Sequence, residues 1–211
     1  LPARDDFARL AGRLGIAPDT QVVAYRQGGM YAARVWWMLR WLGHEAVAVL
    51  DGGCQAWQQA GGALDTRAPV SSPNARLYPA GKSLAPAVDA DTLAQRLGRV
   101  PLFDARAPER FRGEVEPLDA QAGHIPGARN RFFKDNLQSD GRFKDAAQLR
   151  AEFLALLGPA TPQEAVHQCG SGVTACHNVL AMEHAGLSGS ALYPGSWSEW
   201  SADPSRPVEK G

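Results

Sequence analysis

Hydrophobic and polar positions along the chain follow two periods, one typical of helices and one typical of short buried strands. Residues 30–42 predict a helix with one apolar face, because apolar side chains recur at i, i+3, i+4 and i+7, at Val35, Met38, Leu39 and Leu42. Short apolar runs at 22–25 and 46–50 flank this helix and predict strands. Strands that alternate with helices indicate an α/β fold with a mainly parallel sheet.

The same order of elements returns in the second half of the chain. Strands are predicted at 100–103, 165–168 and 190–193, and a helix is predicted at 174–185. Residues 66–85 separate the two halves, and they are rich in Pro, Ser, Ala and Gly and lack apolar periodicity. This composition predicts a linker between two domains.

Residues 143 positions apart are often identical, which indicates an internal repeat. The matched positions include a glycine before a helix, a glycine that ends a helix and a tryptophan: Gly29 with Gly172, Gly43 with Gly186, and Trp57 with Trp200. The second copy begins near Pro86, so the start of the first copy would lie upstream of Leu1. We therefore expect residues 1–65 to form the second half of a truncated N-terminal domain, and residues 86–211 to form a complete domain.

Composition and charge exclude several classes of function. The 22 basic residues balance the 22 acidic residues, so the chain has no formal net charge at neutral pH. A protein that binds nucleic acid or an anionic membrane surface usually carries a basic excess. No apolar stretch is long enough to cross a bilayer. We therefore expect no nucleic-acid partner and no membrane partner.

The three cysteines, Cys54, Cys169 and Cys176, predict a reducing environment. An odd count cannot form a complete set of disulfides, and the sequence shows no export signal, which together favour a cytoplasmic protein. No two cysteines have the Cys-x-x-Cys spacing of a zinc site, and no histidine cluster accompanies them. We expect no metal and no cofactor.

Cys169 is the strongest candidate for chemistry, because it directly follows the predicted strand at 165–168. A glycine-rich loop and a helix come next, in the order Cys169-Gly170-Ser171-Gly172-Val173-Thr174. The backbone N–H groups of such a loop and the positive end of a helix dipole stabilise a thiolate, and the glycines let the backbone curl around it. The alternative is a buried structural cysteine in a tight turn.

A loop of this kind supports either phosphate transfer or sulfur transfer. Cysteine-dependent phosphatases need an arginine six residues after the cysteine, where its guanidinium clamps the phosphate oxygens. Ala175 occupies that position here, and residues 170–175 contain no cation. Phosphate transfer is therefore disfavoured. Sulfur transfer needs only a nucleophilic thiolate that accepts a sulfur atom and passes it on.

Several motifs resemble those of one known family. The Cys169 loop is similar to the active-site loop of the 3-mercaptopyruvate sulfurtransferases, which belong to the rhodanese superfamily. Other matching stretches are Arg34-Val35-Trp36-Trp37, Leu50-Asp51-Gly52-Gly53, Gly123-His124-Ile125-Pro126-Gly127-Ala128 and Gly195-Ser196-Trp197-Ser198-Glu199-Trp200. The resemblance covers nearly the whole chain. It implies two tandem rhodanese-like domains, each with a mainly parallel sheet flanked by helices, of which only the second is catalytic.

The resemblance also implies a mechanism and a set of site residues. The Cys169 thiolate would take the sulfur of 3-mercaptopyruvate as a persulfide and release pyruvate, and a thiol, thioredoxin or cyanide would then accept the sulfur. Arg106 and Arg112 match the arginines that hold the carboxylate and the carbonyl of the substrate, as suits a planar guanidinium. The other substrate-binding positions are Gly170, Gly172, Val173 and Thr174. Ser171 matches the serine of a Ser-His-Asp relay, whose His and Asp would lie upstream of Leu1.

Two alternative functions remain open. A thiosulfate:cyanide sulfurtransferase, or rhodanese, would use the same cysteine. Thiosulfate-preferring members tend to carry basic residues in the loop, however, where this chain has the uncharged Gly170-Ser171-Gly172. The second alternative is a non-catalytic rhodanese-like module for sulfur relay or protein interaction, since half of a domain beside the active-site cleft is expected to be absent.

Overall fold

The computed structural model describes residues 1–25, 30–67 and 77–211. The chain divides into two compact units, Leu1–Ala85 and Pro86–Gly211, which are here called unit 1 and unit 2. Two features of the sequence analysis lie outside the described residues: Gly29 and positions 68–76 of the expected linker. No helix in the described part of the chain is long and apolar enough to span a membrane.

Unit 1 consists of three helices and two strands within its described residues. In chain order these are α1 (Arg4–Arg13), β1 (Val22–Ala24), α2 (Met30–Trp41), β2 (Val47–Val49) and α3 (Gly53–Gln59). β1 and β2 pair in parallel, with Val22 opposite Val47. Parallel strands need a crossover connection, which α2 supplies. The apolar face predicted for this helix is only partly covered, since Leu39 is buried while Val35 is 44% exposed.

Residues 77–85 belong to unit 1, although the sequence analysis placed them in a linker. Tyr78 is buried in one apolar cluster with Ala8, Ala11 and Leu42. Its N–H donates to the Ala8 carbonyl, and its hydroxyl hydrogen-bonds Nδ1 of His44 at 3.0 Å. The linker prediction was wrong for this segment, because one buried tyrosine among Pro, Gly and Ser residues produces no periodic pattern.

Unit 2 is an α/β fold around a four-stranded parallel sheet. Its strands are β3 (Leu102–Asp104), β4 (Arg129–Asn130), β5 (Val166–Gln168) and β6 (Ala191–Leu192), in the spatial order β4-β3-β5-β6. Its helices are α4 (Ala90–Arg96), α5 (Pro108–Phe111), α6 (Ala146–Leu157), α7 (Ala175–His184) and α8 (Ser196–Ala202). The predicted α/β fold with a parallel sheet is confirmed, and α7 is the helix expected at 174–185.

An apolar cluster covers each face of the unit 2 sheet. Successive side chains of a strand point to opposite faces, so neighbouring residues of one strand enter different clusters. Leu102 and Val166 belong to one apolar cluster, together with Leu93, Ile125, Trp197 and Trp200. Phe103 belongs to the other cluster, together with Leu149, Phe153, Leu157 and Met182. Each fully buried large apolar side chain contributes roughly 1.5–3 kcal/mol to stability. These clusters therefore hold the central strands β3 and β5 in place.

The two units differ at one edge of the sheet. In unit 2, β5 pairs with β6 on one side and with β3 on the other. In unit 1, β1 pairs with β2 alone among the described residues. Beside β1 lies an apolar groove of about 480 Å³, whose lining includes Leu10, Leu14, Val23, Tyr31 and Val35. The expectation that residues 1–65 are half of a domain stays a prediction.

Candidate active site

Three neighbouring strands of unit 2 have their carboxyl ends on the same side of the sheet, since β3, β5 and β6 are adjacent and parallel. In open α/β sheets, ligands bind outside the carboxyl ends of the strands. Three segments follow these carboxyl ends: the α5 segment after β3, the Cys169 loop (residues 169–174) after β5, and α8 after β6. Each of them contributes to the surroundings of Cys169.

The Cys169 loop is fastened to α8 by hydrogen bonds. The Cys169 carbonyl accepts the N–H of Trp197 at 3.0 Å, and the Gly170 carbonyl accepts the N–H of Ser198 at 2.9 Å. The Ser198 hydroxyl donates to the same Gly170 carbonyl at 2.9 Å. These bonds fix the course of the backbone at the start of the loop, where Cys169 is only 2% exposed.

The loop needs glycine at position 172 for two independent reasons. Its φ of +74° lies in the left-handed region, which side chains disfavour. A Cβ atom at this position would also lie 2.5 Å from the Pro194 carbonyl oxygen, well inside van der Waals contact. This close approach packs the Cys169 loop against the segment that joins β6 to α8.

Helix α7 begins immediately after the loop, with Thr174 as its N-cap residue. The free N–H groups and the macrodipole at this helix end carry partial positive charge, which favours a thiolate or another anion at the loop. In the first turn, the Cys176 thiol donates to the Gly172 carbonyl at 3.3 Å. Cys176 is fully buried, so it contributes to packing rather than presenting a second accessible thiol.

Arg110, on α5, brings a cation to the Cys169 loop. A Cβ atom built on Gly170 would lie 3.5 Å from Nη1 and 3.8 Å from Nη2 of this guanidinium. Nη2 donates to Glu116 at 2.6 Å and to Asp119 at 3.3 Å. Nε is buried and has no partner among the described residues. The two carboxylates thus orient the guanidinium beside the loop, where it can attract an anion.

The candidate site consists of the Cys169 loop, the amino end of α7 and the Arg110 guanidinium. Comparison with known proteins identifies the family of the chain. A family model described as "Rhodanese-like domain" matches residues 1–60 and 89–203. The chain belongs to the rhodanese family. Since the matched residues include the Cys169 loop, α5 and α8, the candidate site lies inside the rhodanese-like part of unit 2.

The relatives of this rhodanese include sulfurtransferases of two kinds. A Pseudomonas aeruginosa protein named "Probable 3-mercaptopyruvate sulfurtransferase" is 50% identical, over 98% of this chain and 74% of its own length. Human 3-mercaptopyruvate sulfurtransferase is 40% identical, over 95% of this chain and 69% of its own length. The thiosulfate sulfurtransferase of Bos taurus is 38% identical, over 95% of this chain and 69% of its own length.

A solved structure agrees with these relatives. The structure of 3-mercaptopyruvate sulfurtransferase from Leishmania major matches with a TM-score of 0.81 at 34% identity. The match covers 96% of this chain and 57% of that chain, so this chain spans a little over half of the solved one. The resemblance to 3-mercaptopyruvate sulfurtransferases that the sequence motifs indicated is confirmed.

Arg106, which the motifs indicated as a substrate-binding residue, is enclosed within the rhodanese fold. Its side chain is 1% exposed and pairs with Asp104 at 2.8 Å. Further bonds extend to the Gly123 carbonyl at 2.7 Å and to Glu116 at 3.3 Å. The guanidinium carbon also lies 4.8 Å from the centre of the Trp197 ring. The geometry corrects the expectation, because the donors of Arg106 point at protein groups and stabilise the segments around the loop.

The side-chain hydrogen bonds and ion pair found for Arg112 in the part of the chain that the structure describes go to Glu114, and none goes to the Cys169 loop. Its side chain is exposed, and Nε and Nη2 donate to Glu114 at 2.7 and 3.0 Å. Hydrogen bonding within this pair raises the pKa of Arg112 and lowers the pKa of Glu114. The geometry favours Arg110 as the arginine of the site. The sequence analysis missed it because residues two apart on a helical turn point about 200° apart, and the pattern alone does not show which one faces the loop.

Neither a Ser-His-Asp relay at Ser171 nor a metal-binding cluster is found among the described residues. Ser171 is exposed on the loop, and the structure places no His or Asp against its hydroxyl within residues 1–25, 30–67 and 77–211. No group of three or more His, Cys, Asp or Glu side chains in those same ranges could hold a metal ion. The relay through Ser171 stays a prediction.

A buried polar cluster behind the loop was not foreseen from the sequence. Asn136 donates to Nδ1 of His177 at 3.1 Å and to Oδ1 of Asn178 at 2.7 Å, and both partners lie in the first turns of α7. Its own oxygen accepts from Nε and Nη2 of Arg131 at 3.1 and 3.0 Å. Burial lowers the pKa of His177 to about 4, so the ring is neutral near pH 7. The Asn136 cluster (Arg131, Asn136, His177 and Asn178) thus anchors the helix that follows the loop.

Proposed function

We propose that this chain transfers the sulfur of 3-mercaptopyruvate, through a persulfide on Cys169, to an acceptor. The observation that carries the proposal is an uncharged glycine-formed loop at Cys169, which lies between the amino end of α7 and the Arg110 guanidinium. The relatives named as 3-mercaptopyruvate sulfurtransferases support the same donor. A loop that lacks its own cation but has one beside it suits a small carboxylate that carries a neutral thiol sulfur.

The first half-reaction forms the persulfide. The Cys169 thiolate attacks the thiol sulfur of 3-mercaptopyruvate, and an S–S bond forms while the C–S bond of the donor breaks. The electron pair of that bond leaves with the three-carbon fragment as the enolate of pyruvate, which takes up a proton to give pyruvate. Cys169 then carries the persulfide, with its negative charge facing the positive end of α7.

The second half-reaction removes the outer sulfur. An acceptor thiolate, or cyanide, attacks this sulfur and breaks the S–S bond, and the electron pair returns to Cys169 as a thiolate. Small thiols and thioredoxin are the proposed acceptors, in keeping with the proposed cytoplasmic location, where thiols are kept reduced. In this scheme Ser171 assists proton transfer, and the backbone of Gly170, Gly172, Val173 and Thr174 surrounds the sulfur.

The charges around the loop distinguish between the two candidate donors. 3-Mercaptopyruvate carries one carboxylate, which a planar guanidinium can bind through two parallel hydrogen bonds. Thiosulfate carries two negative charges and gains more from several cations. Glu116 and Asp119 offset much of the charge of Arg110, with N–O distances of 2.6 and 3.3 Å. The site therefore offers a modest positive field, which favours the monoanion.

Thiosulfate is the second candidate donor, and a thiosulfate sulfurtransferase from Bos taurus is among the relatives. The test compares kcat/KM for the two donors with cyanide as the acceptor, with Cys169→Ser as the inactive control. We expect the value for 3-mercaptopyruvate to exceed that for thiosulfate by about tenfold or more, which corresponds to about 1.4 kcal/mol. A higher value for thiosulfate would assign the chain to the second activity. Turnover of neither donor would favour a non-catalytic sulfur-relay module.

A further inference from the structure

Ser196 has an unusual backbone conformation directly beside the nucleophile. Among residues 1–25, 30–67 and 77–211 it is the only residue other than glycine with a positive φ, at +55°. This left-handed region is disfavoured for residues with a Cβ atom, and such residues persist only where the surrounding structure holds them. Ser196 is fully buried as the first residue of α8. Its conformation therefore calls for a compensating interaction.

The Ser196 hydroxyl makes that interaction with the nucleophile's own backbone. Its Oγ accepts the N–H of Cys169 at 3.1 Å, and its O–H donates to the Tyr193 carbonyl at 2.9 Å. The neighbouring Trp197 N–H donates to the Cys169 carbonyl at 3.0 Å. Both polar backbone groups of Cys169 are thus held by the first two residues of α8. Together these bonds fix the backbone angles of Cys169, and with them the direction of its Cα–Cβ bond.

The residue of unit 1 that aligns with Ser196 provides a comparison within the same chain. Gly53 lies 143 residues before Ser196, and it is likewise the first residue of its helix, α3, with a φ of +60°. Unit 1 therefore begins its helix with a glycine, which adopts a positive φ without strain, whereas unit 2 begins the matching helix with a serine, beside a cysteine. The preceding residues differ in conformation, since Gly52 has a φ of +71° and Gly195 a φ of −66°. Glycine has no hydroxyl to offer. A disfavoured serine in place of an unstrained glycine indicates that the hydroxyl serves Cys169.

We propose that Ser196 is a positioning residue for sulfur transfer, which holds the Cys169 backbone through its hydroxyl so that the thiolate faces the donor. The inference rests on the proposed function of the Cys169 loop. It predicts an effect on the reaction of Cys169 itself and little effect on donor binding, since Arg110 lies on α5 and makes none of these bonds.

The test uses two substitutions that remove the hydroxyl in different ways. Ser196→Ala keeps the disfavoured conformation, whereas Ser196→Gly relieves it and introduces the residue that unit 1 has at the matching position. Both should lower the rate of persulfide formation at saturating 3-mercaptopyruvate by about tenfold, as expected when a buried N–H loses its partner. The KM for the donor should stay within about twofold. Gly53→Ala is the matched control, because it introduces the left-handed cost in unit 1 and should leave the rate unchanged.

A second measurement keeps this inference separate from the proposed function. The rate of alkylation of Cys169 by iodoacetamide is measured against pH and needs no sulfur donor. Fragment masses of the peptide that carries both Cys169 and Cys176 assign the alkylated cysteine. Both Ser196 variants should alkylate more slowly than the wild type and with a displaced pH profile. A wild-type persulfide rate together with a wild-type alkylation profile in folded Ser196→Gly would overturn the role of Ser196. Failure of the wild type to form a persulfide, with altered alkylation in the variants, would overturn the proposed function alone.

Discussion

Unit 1 and unit 2 share a run of five elements and differ in what surrounds it. The order α1-β1-α2-β2-α3 in unit 1 corresponds to the order α6-β5-α7-β6-α8 in unit 2. α3 and α8 coincide at both ends when one is shifted by 143 positions, since they span Gly53–Gln59 and Ser196–Ala202. Helices α2 and α7 are both followed by a glycine with positive φ, Gly43 and Gly186. The same local sequence signals thus produce the same run in each unit.

The shared run does not make a site by itself. Cys169 follows β5 in unit 2, whereas Arg26 stands at the matching position of unit 1. The cation at the loop comes from Arg110 on α5, which lies outside the shared run. β3 also lies outside the run, and it pairs with β5 on the side opposite β6. Unit 1 has no counterpart of β3 or α5 among its described residues. A strand-loop-helix turn becomes a candidate site only where the right residues and neighbouring segments complete it.

The largest effect on the activity of the unit 2 site is expected from a substitution of Gly172. Gly172→Ala should lower kcat/KM for sulfur transfer by about 10³-fold, or about 4 kcal/mol. The new Cβ would collide with the Pro194 carbonyl, in a residue whose φ is +74°. Steady-state kinetics measure the change. The matched control is Gly141→Ala, at a positive-φ glycine with open space around its Cβ position, and an equal loss there would contradict the role of the loop packing.

The next effect concerns stability and the Asn136 cluster. Asn136→Ala should lower the free energy of unfolding by about 3 kcal/mol, because it leaves buried groups of Arg131, His177 and Asn178 without partners. Urea unfolding followed by tryptophan fluorescence measures it. Gln138→Ala, at an exposed position two residues later, should change stability by no more than about 0.5 kcal/mol. Similar losses in the two variants would mean that the cluster does not anchor α7.

The third effect distinguishes the two arginines that flank Phe111. Arg110→Ala should lower kcat/KM for 3-mercaptopyruvate about 30-fold, or about 2 kcal/mol, mainly through KM, because a charge-assisted hydrogen bond to the donor is lost. Arg112→Ala should change it by about twofold at most, since that side chain pairs with Glu114 in solvent. The reverse ranking would restore Arg112 as the substrate-binding residue and contradict the geometry of the loop.

The smallest effect is a pH dependence from His167, which lies two residues before Cys169. Burial lowers the pKa of His167 to about 3, from about 6.5 in an unfolded chain. Between these values the unfolded state binds a proton that the folded state does not, so stability falls as pH decreases from 6.5 toward 3. The slope is at most about 1.4 kcal/mol per pH unit.

His167→Leu tests this dependence directly. Urea midpoints measured between pH 6.5 and 4.5 should fall less steeply in this variant than in the wild type. His184→Gln, at an exposed histidine of α7, serves as the control and should retain the wild-type slope. An unchanged slope in His167→Leu would show that this ring does not limit stability in acid.

Local features of the molecule were predictable from the sequence, because they depend on neighbouring residues. Helix α7, the strand before Cys169 and the glycine loop between them follow from periodicity and from glycine positions. The linker prediction failed at Tyr78, whose burial depends on Ala8 and Leu42, far away along the chain. Pattern reading has no access to such contacts.

The residues that complete the site were the least predictable. Arg110 and Arg112 are indistinguishable in the sequence, and the orientation of α5 decides between them. Asn136 meets His177 across 41 positions of the chain, which no local motif reveals. Ser196 was only partly accessible, since the 143-residue shift aligns it with Gly53 and so marks a turn that favours glycine.

The central claim is that the sulfur passes through Cys169, and peptide mass spectrometry tests it most directly. The protein is incubated with 3-mercaptopyruvate without an acceptor and digested under non-reducing conditions. The peptide of Cys54 is compared with the peptide that carries both Cys169 and Cys176, and fragment masses assign the modified cysteine; the last two cysteines are buried and the first is partly exposed. Only Cys169 should gain the mass of one sulfur atom, which cyanide should remove. Equal gain on Cys54, or a gain elsewhere in Cys169→Ser protein that supports turnover, would contradict the account.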